Sequence, residues 1–574
     1  MRHRGPGHGA SANCQRDARG AYSLLERSAP RRAQMEHMPV DYCHNPYASR
    51  RSPVMAPSGV VATSQPLAAQ AGVAMLQRGG TAVDAILATA IALTVVEAPS
   101  NGIGGDAFAL VWDGSRLQGA NGSGRSPAAT HAEALRADHL NAMPQRGWWP
   151  VTVPGAPRAW ADLHARYGRL PFADLFGPAI QYAERGFPVS PLIAAGWDAA
   201  ARSIFAPLVG PEFRSWCDTF APGGRAPAAG ETWSSPDHAA TLRAIAASHS
   251  ADFYEGSLAR RIDRFARDTG GTLRAEDLAA HHTDWVDPIG AAYRGYDVWE
   301  IPPNGQGIAA LMGLQILSGF DLAAEPRDGV VSYHRQIEAT KLALTDARGF
   351  VADPEHSAVP VEGLLDPAYA ASRRTLIGER ALSPEVGRPV ESGTVYLCAA
   401  DADGMMVSYI QSNFNGFGSG IVVPGTGIAL HNRGYGFTLA PDHPNLLAPG
   451  KRPYHTIIPG FLTRDGQAVG PFGVMGGYMQ AQGHLQVMVN VLDHGLQPQA
   501  ALDAPRFRYE TGRTVIVEPE TPPAVVDGLR DRGHDVQVQP NGSLFGRGQI
   551  IWRLPGGGYV AGSDRRADGC AIGY

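Results

Sequence analysis

Several things are scarce in this chain, and each absence excludes a class of function. Five cysteines (Cys14, Cys43, Cys217, Cys398, Cys570) are scattered with no C-x-x-C pair, so neither a disulfide framework nor a zinc site is indicated. The longest apolar run, Thr81 to Val96, contains Asp84 and is too short to span a bilayer, so no membrane partner is expected. Charge of one sign is missing as well: a net charge of -5 and a pI near 6.4 point to neither nucleic acid nor an anionic surface. The common catalytic signatures are absent, with no H-E-x-x-H, G-x-S-x-G or G-x-x-x-x-G-K and no metal-spaced His/Cys cluster. "GPFGVMGG" and "GFGSGI" are glycine-rich but lack dinucleotide-fingerprint spacing, so no cofactor and no metal are expected.

What is present is an ordinary globular composition, 44% hydrophobic and 18% charged, with 69 Gly and 45 Pro implying many tight turns. At 574 residues the chain exceeds one usual core, which predicts two or more lobes. Residues 1–52 carry nine Arg against four acidic residues and no signal-peptide pattern. They read as a disordered tail or an over-extended start, with Met35 or Met38 as the real one, and the expected location is the cytoplasm.

Along the chain, "VVATSQPLAAQAGVAMLQRGG" predicts a strand and then a helix stopped by Gly79-Gly80. "TAVDAILATAIALTVVEAP" is apolar almost all round and predicts a buried helix. Helical patterns dominate the middle, as in "SYHRQIEATKLALTDARGFV". After residue 380 a polar segment, "ALSPEVGRPVESG", leads into mostly strand-like stretches, including "TVYLCAAD", "MMVSYIQS", "GIALHNRG" and "AVGPFGVMGG". An α-rich lobe at 53–393 followed by a β-rich one at 394–574 is the expected organisation.

Thr394 stands at that boundary, directly after Ser392-Gly393. A threonine hydroxyl is a weak nucleophile and needs an adjacent base. If the chain is cut before Thr394, the new α-amino group, with an unperturbed pKa of about 7.7–8.0, becomes that base. Ala402-Asp403-Gly404 reads as a three-residue hairpin loop with Gly in the left-handed position. Pairing Asp401 with Met405 then sets Thr394 opposite Ser412, and directly opposed residues share a face.

"GTVYLCAADADGMMVSYIQSNFNGFGSG", "APGKRPYHTIIP", "VMGGYMQAQGHLQVMVNVLDHGLQPQAALDAPRF" and "NGIGGDAF" together resemble the γ-glutamyltransferase family, from about residue 53 to the C-terminus. The resemblance implies an α+β fold: the four-layer αββα sandwich of an N-terminal-nucleophile hydrolase. It further implies a precursor that processes itself into a large subunit ending at Gly393 and a small one headed by Thr394. Ser412 matches a family threonine that bonds the nucleophile, and Gly476-Gly477 match the oxyanion-hole glycines, where bare backbone N–H groups suit an oxyanion.

The family's substrate-binding positions differ. The family arginine is Ser123 here, with Arg125 nearby; its asparagine is Phe414, flanked by Asn413 and Asn415. Its aspartate is Gly436, and its paired serines are His455 and Thr456. Arg433 stands where the family usually has an uncharged residue. Catalysis by Thr394, Ser412, Gly476 and Gly477 reads as intact, and recognition by Arg433, Asn413, His455 and Thr456 as rebuilt. An amidohydrolase for a small carboxylate-bearing amide, in an oxamate amidohydrolase-like branch, is the first expectation. A γ-glutamyltransferase, glutathione hydrolase or related acylase is the alternative, and a non-enzymatic scaffold the third.

Overall fold

Strands from both sides of residue 394 build the same two sheets. The computed structural model describes residues 46–47, 51–384 and 393–574. Most of the expected N-terminal tail and most of the expected linker before Thr394 lie outside the described residues. Those described belong to one compact unit, Pro39–Tyr574. No helix among them is long and apolar enough to cross a membrane.

The first sheet has seven antiparallel strands in the order Cys570–Gly573, Val60–Thr63, Gly393–Ala400, Met406–Phe414, Asp106–Trp112, Leu117–Gly122 and Asp284–Val286. The second runs Val54–Ala56, Tyr559–Ser563, Arg547–Arg553, Gln467–Met475, Gly460–Arg464, Tyr296–Glu300 and Ile289–Tyr293. Alternate residues of the facing strands, among them Phe108, Tyr396, Ile410, Phe461, Met475 and Ile551, form the core between the sheets. The opposite faces bury against helices. Val395, Leu397 and Val407 pack with Ala82–Val96 behind the first sheet. Gly307–Leu317, Val330–Phe350 and Met479–Leu492 cover the second. The layers run helix, sheet, sheet, helix, the αββα sandwich expected.

The expected division into an α-rich and a β-rich lobe is corrected by this pairing. Gly393–Ala400 lies between Val60–Thr63 and Met406–Phe414, so segments far apart in sequence complete one another's hydrogen-bond ladders. "GIALHNRG" is also not a strand. Its amides take partners in turn from different segments: Leu430 N–H donates to Ile421 O (2.9 Å) and His431 N–H to Gly104 O (3.0 Å). Only isolated bridges form before the 3₁₀ turn Arg433–Gly436.

The buried helix forms as its pattern predicts, and all of Ala82–Val96 is buried. Thr81 and Asp84 close a capping box at its start, of a kind that contributes about 0.5–2 kcal/mol. Asp401, in the turn of the Thr394 hairpin, accepts the Ala82 N–H at 2.8 Å. The hairpin is thereby fixed to the helix behind it.

Candidate active site

The hairpin turns as its loop chemistry requires. Asp401 N–H donates to Met405 O at 3.1 Å, and Gly404 has φ +90°. Val395↔Gln411 through Ala400↔Met406 follow the expected register. The ladder then slips between Gly393 and Val395, so that Gly393 faces Phe414 and Thr394 sits in the irregularity. Thr394 Oγ1 nevertheless lies 2.9 Å from Ser412 Oγ. Ser412 Oγ also accepts the Phe414 N–H at 2.7 Å, and Phe414 is held at φ +71°, an uncommon conformation for a residue with a side chain.

Alternation decides what joins this pair. Thr394, Ser412 and Asp106 share the parity of Tyr396, Ile410 and Phe108, which face the gap between the sheets. Asp106 is moreover the cross-strand partner of Ser412. It is fully buried and heavily engaged. Arg433 donates to it through Nε (3.0 Å to Oδ2) and Nη2 (3.4 Å to Oδ1), His455 Nε2 lies 2.6 Å from Oδ2, and His431 Nδ1 lies 3.4 Å from it. Burial alone would raise the Asp106 carboxyl. Arg433 first, then His455 and His431, outweigh it and hold the group well below the usual carboxylate range. His455 is lowered too, but towards its neutral form: burial, then the Arg433 charge, pull it down to about 4. It is a neutral donor whose Nδ1 accepts the Ile457 N–H at 3.3 Å.

Arg433 is fully buried, with its guanidinium carbon 4.2 Å from the centre of the Phe414 ring. Nη1 donates to Thr456 Oγ1 at 2.8 Å. Among the described residues, one further N–H on each of Nη1 and Nη2 is left over.

A single carboxamide links this cluster to the glycine pair. Gln306 Nε2 donates to Thr456 O and to Gly477 O, both at 2.8 Å. Gly476 and Gly477 have φ +138° and +60°, close the strand Gln467–Met475 and open the helix Met479–Leu492. Their carbonyls accept from Met479 and Gln480, while neither N–H has a protein acceptor among the described residues. Unpaired N–H groups at a helix start are a ready site for negative charge.

The chain is similar to known proteins along most of its length. A family model described as Gamma-glutamyltranspeptidase matches residues 68–574. The chain belongs to that family. It is 36% identical over 518 residues to the glutathione hydrolase-like YwrD proenzyme of Bacillus subtilis (strain 168), covering 88% of this chain and 97% of that one. It is 33% identical over 532 residues to the oxamate amidohydrolase proenzyme of Klebsiella pneumoniae, covering 90% and 98%. Among solved structures it resembles a cephalosporin acylase from Bacillus halodurans, with a TM-score of 0.89 and 54% identity over 93% of this chain and 99% of that one. These relatives of the gamma-glutamyltranspeptidase family are hydrolases or acylases, and the two curated ones are proenzymes.

The family's altered positions fall into two groups. Arg433 and His455 converge on Asp106, beside Ser412, and Thr456 joins them through Arg433. Asn413 does not: it points to the other side of its strand, where its carboxamide packs on Gly102 and Gly105, with both polar atoms lacking a partner. Ser123 bonds Asn121 Oδ1 at 2.7 Å, and Arg125 turns to Glu355 (2.8 Å) and Asp353 (3.4 Å), so Arg125 does not fill the missing arginine's place. Asp106, His431 and Gln306 were not singled out from the sequence. Asp106 did leave a signal there, an acid at a buried-face position of the otherwise apolar "DAFALVW".

One group with metal-ligand character exists among the described residues: His334, Glu338 and His534, whose ligand atoms lie within 4.8 Å of one another. Those atoms are already engaged. His334 Nδ1 and His534 Nε2 are 2.8 Å apart, and the Lys341 ammonium donates to Glu338 Oε1 at 2.8 Å and to Leu382 O at 2.9 Å. A cation already occupies the carboxylate, and the group ties down the segment that precedes residue 385.

Proposed function

We infer that the chain cuts itself between Gly393 and Thr394, yielding a large and a small subunit, and that the product is an N-terminal threonine amidohydrolase. The slipped ladder at Thr394 supports the cut, because a peptide outside regular pairing distorts at less cost than one inside it. In the mature protein the Thr394 α-amine takes the proton from Oγ1 as Oγ1 attacks the substrate amide carbon. The Gly476 and Gly477 N–H groups receive the developing oxyanion. The amine leaves with the proton, and water then releases the acid from the Thr394 ester. Ser412 fixes the direction of Oγ1.

The acyl group carries a carboxylate and no α-ammonium. One observation carries this reading. A Cβ at Gly436 would lie 2.5 Å from Tyr454 O, so this position has no room for the acid that would hold an ammonium, while Arg433 nearby keeps two donors for an anion. Oxamate is the smallest such amide. The 54% identity to a cephalosporin acylase favours a second reading, a larger acyl group on the same machinery. A cytoplasmic location belongs to the same proposal.

Purified protein should resolve into two chains, the smaller beginning at Thr394, and Thr394→Ala should stay whole and inactive. The processed protein should release ammonia from oxamate faster than it cleaves γ-glutamyl-p-nitroanilide, with a cephalosporin side-chain amide as the third substrate. An active, uncut Thr394→Ala protein overturns the nucleophile. Preference for the γ-glutamyl compound overturns the acyl assignment.

A further inference from the structure

Both oxygens of Asp106 go to cationic or N–H donors, and its strand partner is Ser412, which bonds Thr394. Arg433 cannot swing. Asp106 takes its Nε edge, Thr456 takes Nη1, and the Phe414 ring covers one face. The N–H groups left over lie on the guanidinium edge away from Asp106.

We propose that Asp106 is a positioning residue that aims the outer edge of Arg433 at the substrate carboxylate and fixes its distance from the nucleophile through the Asp106–Ser412 strand pair. Two parallel N–H···O bonds from a planar fork work only when the plane is fixed, which is where arginine differs from lysine. His455 also holds the carboxylate, at 2.6 Å, so Asp106 is fixed by a donor other than the guanidinium it aims. The inference rests on the reading of Arg433 as the carboxylate receptor, and its test separates from that of the reaction.

The test is a double-mutant cycle on the processed protein with oxamate as the probe. Asp106→Asn should raise KM roughly 10-fold or more, the scale of losing an aimed charge-assisted bond, with a much smaller fall in kcat. In an Arg433→Gln background the same change should add nothing further to KM, because there is no guanidinium left to aim. Multiplying KM effects, or equal losses in KM and kcat, overturn the proposal. If Asp106→Asn does not fold, Asp106→Glu keeps the charge but moves the carboxylate by one methylene. KM must then rise in a protein that is processed and folded, and a wild-type KM refutes the aiming role. If wild type ignores oxamate and cleaves γ-glutamyl-p-nitroanilide, the reaction assignment has failed. The cycle is then read on that compound, whose carboxylate meets the same guanidinium, with the same two outcomes.

Discussion

Ser412→Ala separates catalysis from support at one atom. Ser412 Oγ lies 2.9 Å from Thr394 Oγ1 and accepts the Phe414 N–H at 2.7 Å, in a fully buried setting. Losing the first should remove a net bond of about 0.5–1.5 kcal/mol, which is about 3- to 10-fold in rate if that bond orients the nucleophile in the transition state. Losing the second orphans a buried N–H, at about 1–3 kcal/mol of stability. For a protein of this size that is a fall in Tm of only a few degrees, roughly 1–3 °C. Ser412→Thr restores a hydroxyl and should recover both. The assay is a time course of processing on denaturing gels, kcat on the processed fraction, and a thermal melt. A lowered Tm with unchanged kcat and processing would refute the orienting role and leave Ser412 as support for the Phe414 turn.

Gly477→Ala keeps the backbone N–H but places a Cβ on a residue at φ +60°; it should fold and process, yet lose kcat by up to about 10²-fold, the scale for one oxyanion donor, as that N–H is displaced. Alanine is the variant of choice because a β-branched residue at φ +60° adds strain of its own; wild-type turnover would make the glycines a turn only. Acid stability should depend on Asp564. Burial raises its carboxyl, but Arg506 (2.7 Å) and Arg566 (3.1 Å) outweigh burial and hold it at about 2. A folded value below the unfolded one of about 3.9 stabilises above pH 4, and that stability is lost as pH falls from about 4 to about 2, on the order of 2 kcal/mol. The urea midpoint of Asp564→Asn should therefore be lower at pH 6 and fall less than wild type on going to pH 3. An unchanged acid slope would refute the pairing.

Local rules in the sequence reached the Thr394 hairpin almost to the atom. A three-residue loop with glycine at its end sets the pairing by counting, and the buried helix follows from apolar residues on every side. The slip at Thr394 was not legible, because it depends on how Phe414 is held by Ser412 and covered by Arg433, contacts from three segments. The two-lobe expectation failed for a related reason. Texture changes along the chain, but pairing is settled by whichever strand supplies the missing donors, here Val60–Thr63 and Asp106–Trp112. Arg433 was found as an unusual residue, whereas Asp106 needed its strand partner before its charge meant anything.

Phe414 joins these threads. Its backbone pairs with Gly393 across the ladder slip, its N–H rests on Ser412 Oγ, and its ring lies under the Arg433 guanidinium. Thr394, Ser412 and Arg433 have no exposed surface while the chain is continuous. The proposed cut between Gly393 and Thr394 falls beside the strand partner of Phe414, the residue at φ +71° that supports both the serine and the arginine. Under the proposed self-cleavage, the step that creates the α-amine base also cuts the chain next to the residue that braces Ser412 and Arg433.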